Sequence, residues 1–366
     1  MAQPRTTKPE EVVKLFRDMG LIGAGGAGFP TYFKYLKPTP ILIVNAEEGE
    51  PGYQADKLIL LKHTNAFIEV FDALKRIFGF ERIIIGAKDK DKKKLQKLES
   101  MFEIAYTPST YGMGEERWLT KAVTGRDVAP DKLPSSVGVI VNNVETVYNM
   151  YRALFLEKPV TEKFVNVYGE VAEQKVLLVP VGTYVVDILA MIGVDTSRSN
   201  NLMVVDGGPM MGEKIPVGRY GIKKTTNGLI VADASLYVEK DPESKYPMPF
   251  RHLAGKQPPM WEDTLPLIME KMGLERYLKW DPKPEDILDI RDKVSRVRLA
   301  LNQDGAAAKP SVPVVQVGQK VKTGDLIAKP LEGPIEDFKS LSVGLHASID
   351  GVVKEIEEDF IRIERE

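Results

Sequence analysis

Short apolar runs alternate with amphipathic segments over the first 160 residues, and this alternation constrains the fold more than any other feature. The runs at residues 41–44 and 82–86 are continuous and rich in isoleucine, which is typical of strands buried on both faces. Helical periodicity follows these runs at residues 58–78 and 90–101. A third strand is predicted at residues 102–106. Alternation of this kind predicts a parallel sheet covered by helices.

The rest of the chain divides into segments that differ in residue composition and hydrophobic pattern. A short amphipathic helix is predicted at residues 9–19, a buried strand at residues 138–141 and a helix at residues 144–155. Beyond Pro159, shorter β-like runs, then prolines and charges, then β-like runs again follow one another. The predicted fold class is α/β multidomain, with an α/β domain, a small mixed β/α module, a helical connector and a compact all-β module at residues 1–160, 161–236, 237–295 and 296–366.

The composition is that of an ordinary soluble globular protein, and it excludes several kinds of site. The chain has 366 residues, 43% of them hydrophobic and 28% charged, with a formal net charge of -2. Such a charge gives no general attraction to nucleic acid. The chain has no cysteine, which excludes disulfides, thiolate zinc sites, cysteine nucleophiles and cysteine-ligated iron–sulfur clusters.

Two further patterns bear on location and partners. The N-terminus lacks a basic and apolar leader pattern, and no uninterrupted apolar window of about 18 residues occurs, so we expect a cytoplasmic protein that is not integral to a membrane. The basic run at residues 88–97 contains two aspartates and no aromatic residue. We interpret it as the solvated face of a helix and expect no nucleic-acid partner.

A glycine-rich loop follows the first predicted helix. Residues 23–28 read GAGGAG and satisfy the G-x-G-x-x-G pattern, with acidic residues about 20 positions later. A dinucleotide fingerprint follows a strand, however, whereas this loop precedes one. Glycines without a Cβ atom let backbone N–H groups approach a phosphate or a flat ring, and Lys34 adds a positive charge nearby. A tight surface turn is the alternative interpretation.

Three further segments carry polar groups suited to ligand binding. Residues 45–52, NAEEGEPG, place three carboxylates at the carboxyl end of a buried strand, where ligands bind in open α/β sheets. A solvated acidic loop is the alternative there. Residues 111–116 read YGMGEE, and residues 141–146 read VNNVET, whose paired asparagines offer donors and acceptors to a heterocycle.

In this order, the segments GAGGAGFPT, VNAEEGEPG, YGMGEE and VNNVET resemble one family closely. It comprises the NADH-oxidising, flavin-bearing subunit of complex I and its relatives, the RnfC subunit and the PduS-type cobalamin reductases. The resemblance implies a Rossmann-like domain that binds FMN and NADH. It also implies a β-grasp-like SLBB domain at residues 161–236 and an RnfC-type barrel-sandwich hybrid at residues 296–366.

The same resemblance implies roles for particular residues. Glu50 and Glu116 would accept hydrogen bonds from NADH and are the expected catalytic residues, and Phe29 would offer NADH a stacking face. The implied cofactor-binding residues are Gly23, Gly25, Gly26, Gly28, Phe29, Lys34, Asn45, Glu47, Glu48, Gly114, Glu115, Asn142, Asn143 and Thr146.

The chain also departs from the family pattern. Relatives carry cysteine-rich iron–sulfur segments after the SLBB-like module, where residues 251–280 of this chain contain no thiol. Ala24 stands where an arginine commonly precedes the double glycine. Gly49 stands where RnfC subunits usually have cysteine. The resemblance therefore implies FMN and NADH as cofactors but no iron–sulfur cluster.

We expect an FMN-dependent NADH oxidoreductase that passes electrons to a redox partner protein or to a corrinoid, as a possible subunit of a larger electron-transfer complex. The alternative is a non-catalytic paralogue that acts as a binding or assembly subunit. No metal site is predicted, because His63, His252 and His346 are scattered along the chain. Met210 and Met211 are expected to pack rather than to bind metal.

Overall fold

Residues 3–195, 201–236, 259–278, 280–302 and 308–366 are described by the computed structural model. The first unit contains a parallel sheet in the order β3-β2-β1-β4. Its strands are β1 (Ile41–Asn45), β2 (Arg82–Lys88), β3 (Glu103–Thr107) and β4 (Val139–Asn143). Strand β1 pairs on both sides, and its apolar residues are buried. The predicted parallel sheet is therefore confirmed.

Helices cover this sheet, as the alternation predicts. The chain begins with α1 (Pro9–Asp18) and the short α2 (Thr31–Lys34). The predicted helix at residues 58–78 is two helices that meet at His63. The other helices of this unit are α3 (Ala55–Lys62), α4 (Thr64–Phe78), α5 (Lys92–Leu95), α6 (Glu116–Thr124) and α7 (Val144–Leu156).

Residues 88–97 form a solvated helical face only in part. Lys88 is the last residue of β2 and is completely buried, with its ammonium group 3.2 Å from Oε2 of Glu47. Asp91 is also buried, 3.2 Å from the ammonium group of Lys57. These ion pairs hold Lys88 and Asp91 in the interior. Residues 89–98 form short helical turns around α5, in which Leu95 is buried and the lysines at positions 90, 92 and 93 are exposed.

The second unit is a mixed sheet in the order β10-β6-β5-β9-β7-β8. Its first elements are β5 (Glu162–Gly169), β6 (Lys175–Pro180) and α8 (Val185–Met191). They are followed by β7 (Leu202–Asp206), β8 (Glu213–Lys214) and β9 (Gly228–Asp233). The described part of the predicted connector supplies α9 (Leu265–Met272) and the edge strand β10 (Ile287–Asp289), while residues 237–258 lie outside the described residues. The likeness to an SLBB domain stays a prediction.

The C-terminal unit has two sheets, in the orders β11-β17-β16-β13 and β12-β14-β15, and their paired strands are antiparallel. The likeness to a barrel-sandwich hybrid stays a prediction. The strands are β11 (Arg296–Ala300), β12 (Val312–Pro313), β13 (Lys320–Val321), β14 (Leu326–Lys329), β15 (Leu345–His346), β16 (Gly351–Ile356) and β17 (Phe360–Glu364).

Contacts between the first and second units place the loop after β1 against β5. The hydroxyl group of Tyr168 donates to the carbonyl of Pro51, with 2.9 Å between the oxygens. Gly52 has φ of 85°, and a Cβ atom there would collide with the ring of Tyr168. This close approach fixes the acidic loop between the two units. No helix of the described ranges is long and apolar enough to cross a bilayer.

Candidate functional site

A cavity of about 950 Å³ lies at the carboxyl ends of β1 and β4, and the second unit forms its opposite wall. Segments that are far apart in sequence meet there, because the ends of parallel strands share one edge of the sheet. The predicted residues that line it are Gly23, Gly25, Gly26, Phe29, Lys34, Asn45, Glu48, Glu50, Gly114, Glu115, Glu116, Asn142 and Asn143. The lining does not include Gly28, Glu47 or Thr146.

The glycine loop is closed by its own backbone. The N–H of Gly23 donates to the carbonyl of Phe29 at 2.8 Å, and the N–H of Gly28 donates to the carbonyl of Gly23 at 3.2 Å. Gly26 and Gly28 have φ of 112° and 67°, in the left-handed region that favours glycine. Gly28 is buried at the base of the loop, so it shapes the loop without reaching the cavity.

Thr146 and Lys163 anchor the loop from the protein interior. The N–H of Ala24 donates to Oγ1 of Thr146 at 2.9 Å, and the ammonium group of Lys163 donates to the carbonyl of Ala24 at 3.2 Å. Both side chains are completely buried. Thr146 therefore positions the loop instead of lining the cavity.

The tip of the loop offers hydrogen-bond donors to the cavity. Residues 25–27 are exposed and line it. Within the described ranges, no group accepts a hydrogen bond from the backbone N–H of Gly25, Gly26 or Ala27. A Cβ atom on Gly25 would lie 3.3 Å from Cβ of Asn143, so the tip sits beside the N-terminus of α7. Free N–H groups next to a helix N-terminus favour an anion.

Lys34 joins three elements at the side of the cavity. Its ammonium group donates to Oε1 of Glu116 at 2.6 Å and to the carbonyl of Val141 at 2.7 Å. It also lies 5.9 Å from the ring centre of Phe29. The ring of Phe29 packs edge-to-face against Phe33. Lys34 thus links α2 to the start of α6 and to the end of β4.

The loop after β1 approaches the 111–116 segment closely. Nδ2 of Asn45 donates to the carbonyl of Gly114 at 3.0 Å, and Oδ1 of Asn45 accepts from the N–H of Glu47 at 3.0 Å. A Cβ atom on Gly114 would lie 2.8 Å from Cα of Gly49. Glycine at both positions therefore lets the two backbones touch beside the cavity.

Glu47 is turned to the interior rather than to the cavity. Its carboxylate accepts from the hydroxyl of Thr107 at 2.8 Å and pairs with Lys88. Burial raises the pKa of Glu47 and lowers the pKa of Lys88. A buried lysine needs an anion, so the carboxylate of Glu47 is held in an ion pair with Lys88 and does not line the cavity.

Glu48 follows with φ of 47° and is also held in an ion pair. Its carboxylate pairs with the ammonium group of Lys57 and accepts from the N–H of Lys57 at 3.0 Å. Unlike Glu47, Glu48 contributes to the cavity lining.

Glu50 is held between the first and second units. One carboxylate oxygen, Oε1, accepts from the hydroxyl of Tyr111 at 3.1 Å and from the N–H of Met211 at 3.0 Å. The other, Oε2, accepts from the N–H of Met210 at 3.0 Å. Burial raises the pKa of Glu50 to about 7, against the opposing effect of these hydrogen bonds. Glu50 therefore titrates near neutral pH.

Glu115 and Glu116 have different hydrogen-bond and ion-pair partners. The carboxylate of Glu115 caps α6 by accepting from the N–H groups of Arg117 and Trp118 at 3.1 and 3.2 Å. It also pairs with the guanidinium group of Arg117 at 2.9 Å. Glu116 uses one oxygen for Lys34.

The paired asparagines are fixed by different partners. Nδ2 of Asn142 donates to the hydroxyl of Tyr35 at 2.6 Å, and Nδ2 of Asn143 donates to Oδ2 of Asp56 at 2.8 Å. Oδ1 of Asn143 accepts from the N–H of Glu145 at 2.9 Å and caps α7. Burial, with nearby acidic groups, raises the pKa of Asp56 well above its ordinary value.

Three contributions to the site were missed by sequence reasoning. Sequence reasoning considered only the side chains of Met210 and Met211, whereas their backbone N–H groups hold Glu50. Trp261, in the predicted connector, lines the cavity and lies 5.2 Å from Tyr111, centre to centre. A turn at residues 223–227 forms part of the opposite wall. The clustered glycines and proline at residues 207–212 were the available signal for the first of these.

The convergence of the four segments on one cavity agrees with the comparison to known families. Residues 16–152 match the Nuo51 FMN-binding domain. The resemblance stated from the motifs is thereby confirmed. It extends to named relatives and to solved structures.

Similarity to characterised relatives reaches beyond this domain. The chain is 34% identical over 230 residues to the cobalamin reductase PduS of Salmonella typhimurium, covering 62% of this chain and 51% of that protein. It is 31% identical over 249 residues to a subunit of the ion-translocating oxidoreductase complex of Pseudomonas aeruginosa, covering 65% of this chain and 32% of that protein. The chain thus spans about half the length of the first relative and less of the second.

The fold also resembles a solved structure. An NAD⁺-reducing [NiFe]-hydrogenase in the air-oxidised state superposes with a TM-score of 0.53 at 24% sequence identity. The match covers 62% of this chain and 47% of that chain. At this identity the likeness concerns the fold alone.

The histidines do not assemble a metal site in the described part of the chain, where no three acidic or histidine side chains are grouped to hold an ion. His63 stacks on Tyr148 with 4.4 Å between ring centres. His346 is buried in the C-terminal unit, and burial lowers its pKa to about 3. His252 lies outside the described residues.

Proposed function

We propose that this chain binds FMN in the cavity, accepts a hydride from NADH there and passes electrons to a redox partner protein or to a corrinoid. The observation that carries the proposal is the glycine-loop tip, whose N–H groups at residues 25–27 have no acceptor among the described residues and line the cavity. The match of residues 16–152 to an FMN-binding domain supports the flavin part.

The cavity has features that fit both ends of FMN. The free N–H groups of the loop tip suit a phosphate, next to the N-terminus of α7. Asn45 and Asn142 at the strand ends each use one amide N–H internally, which leaves a second for a polar ring edge. The volume of about 950 Å³ is adequate for a nucleotide. Bound FMN would supply a group that takes up a hydride and releases electrons singly.

We assign the NADH side to Phe29, Glu50 and Glu116. An ionised carboxylate accepts about four hydrogen bonds, and Glu50 already accepts three from fixed donors, which leaves one position for a donor on NADH. Glu116 uses Oε1 for Lys34 and keeps Oε2 for the same purpose. Phe29 offers a flat apolar face at the cavity. Together these groups would orient NADH for transfer.

Electrons have to leave this chain by a route without cysteine-ligated clusters, because the chain has no cysteine. A corrinoid is one acceptor that suits the proposal, since a similar protein is named a cobalamin reductase. A partner protein with its own redox group is the other. Either acceptor would have to reach the flavin directly.

The test is to load the purified protein with FMN, remove free flavin by gel filtration and add NADH without oxygen. We expect a bound-flavin spectrum that bleaches on addition of NADH. Absence of bound flavin, or flavin that stays oxidised, would contradict the proposal. The second result would favour the non-catalytic paralogue, which keeps the fold and binds without reacting.

A further inference from the structure

The second unit faces the glycine loop with a rigid turn at residues 223–227. The N–H of Lys223 donates to Oγ1 of Thr226 at 3.0 Å, and the N–H of Thr226 donates to the carbonyl of Lys223 at 3.1 Å. The hydroxyl of Thr226 in turn donates to Oδ2 of Asp206 at 2.7 Å. Lys223, Thr225 and Asn227 line the cavity.

The turn is tied to the glycine loop through a shared lysine. The ammonium group of Lys163 donates to Oδ1 of Asn227 at 3.1 Å and to the carbonyl of Ala24 at 3.2 Å. A Cβ atom on Gly26 would lie 3.7 Å from Nδ2 of Asn227. The turn and the loop tip are therefore neighbours in the cavity wall, although they lie far apart in the chain.

Lys223 differs from three other cations of the cavity in its partners. Lys34 pairs with Glu116, Arg117 with Glu115, and Lys132 with Asp131. Lys223 is half-buried and forms no ion pair with any residue in the described ranges, and its ammonium group lies 5.9 Å from the ring centre of Tyr220. A cation without an ion pair beside a ligand cavity has its charge available for an anion.

Asp206 interacts electrostatically with Lys223 but forms no ion pair with it. Oδ2 of Asp206 accepts from the hydroxyls of Tyr220 and Thr226 at 2.6 and 2.7 Å. Burial has the largest effect on the pKa of Asp206 and raises it overall, although the charge of Lys223 acts to lower it. Asp206 thus fixes the turn through its hydroxyl partners, and Lys223 stays without a direct counter-ion among the described residues.

We propose that Lys223 and the backbone N–H groups of residues 25–27 form one phosphate subsite, built jointly by the first and second units. The ligand class is a phosphate ester of a bound nucleotide. The N–H groups would bind its oxygens, and Lys223 would neutralise its charge. The inference rests on the proposed nucleotide function and adds a residue outside the four motif segments.

The test compares FMN with riboflavin, which has the same ring system but no phosphate. Flavin fluorescence quenching gives the Kd of each for the wild type, Lys223→Met, Lys223→Arg and the control Lys132→Met, whose lysine lines the same cavity but is paired. We expect Lys223→Met to raise the Kd of FMN about tenfold, because a hydrogen bond to a charged group is lost. The Kd of riboflavin should stay the same. Lys223→Arg should retain most of the affinity, and Lys132→Met should bind like the wild type.

A second arm distinguishes the two sources of phosphate. NADH binding to the flavin-free protein, in which no flavin can oxidise it, is measured from NADH fluorescence for the same variants. Weaker NADH binding with unchanged FMN binding would assign the subsite to the dinucleotide. If Lys223→Met changes neither, the subsite is wrong while nucleotide binding stands. If the wild type binds neither flavin, the proposed function itself fails.

Discussion

The Glu50 carboxylate occupies the space in which a Cβ atom of residue 208 would lie. Gly208 begins the turn whose following N–H groups, those of Met210 and Met211, donate to this carboxylate. The second unit thereby sets the position of an acid that belongs to the first unit. If Glu50 orients NADH as proposed, the alignment of NADH depends on Gly208, which lies outside the four motif segments.

Gly208→Ala is expected to slow flavin reduction by NADH roughly 10- to 100-fold, because a displaced carboxylate misaligns the substrate. FMN affinity should change little, since the glycine-loop tip is untouched. The measurement is stopped-flow bleaching together with the Kd of FMN. Gly218→Ala is the matched control, because a Cβ atom there meets no atom within 4 Å. Equal rates for the two variants would contradict this role of Gly208.

Glu50 predicts a pH dependence of flavin reduction. Burial raises its pKa to about 7, so the ionised acceptor forms as the pH rises through neutrality. We expect the rate at saturating NADH to increase between about pH 6 and 8 in the wild type. Glu50→Gln should be slow and should lose this rise. A variant that keeps the same pH profile would assign the titration to another group.

The buried pair of Lys163 and Glu145 predicts a stability effect. Their side chains are 0% and 1% exposed, and burial raises the pKa of Glu145. Lys163→Met leaves this acid without its cation and should lower the free energy of unfolding by about 3–5 kcal/mol, measured in urea. The double variant Lys163→Met/Glu145→Gln should recover part of the loss. A single variant as stable as the wild type would contradict the prediction.

Thr146 predicts an effect on FMN affinity from a side chain outside the cavity. Thr146→Val removes the acceptor of the Ala24 N–H, and a buried donor left without a partner costs about 1–3 kcal/mol. The glycine loop should then hold FMN more weakly, as measured by fluorescence quenching. Thr146→Ser keeps the hydroxyl and should bind FMN like the wild type. Loss of affinity in both variants would point to a packing effect instead.

The parallel sheet could be predicted from sequence because its strands contain continuous apolar runs, such as residues 41–44 of β1. Exposure of such a run to water is unfavourable, so it is buried on both faces of the sheet. The burial of Lys88 and Asp91 could not be predicted, because it depends on ion pairs with residues that are distant in sequence. Local periodicity does not report such contacts. The interpretation as a solvated face therefore misplaced Lys88 and Asp91, which are buried, whereas Lys90 and Lys92 are exposed.

The same limit applies to the site. The family resemblance assigned residues such as Lys34 and Asn142 to one site, and both line the cavity. It could not show that Glu47 pairs with Lys88, or that Gly208 makes room for Glu50. Both depend on packing between segments that sequence alone does not connect.

The proposed function requires that a hydride passes from NADH to FMN in this cavity. An anaerobic titration of the FMN-loaded protein with NADH, and with NADH deuterated at the transferred position, tests this transfer. We predict that each NADH bleaches one flavin. Bleaching should be slower with the deuterated form, because the bond from carbon to the transferred hydrogen is broken in this step. Bound flavin that remains oxidised in excess NADH would contradict the proposed transfer.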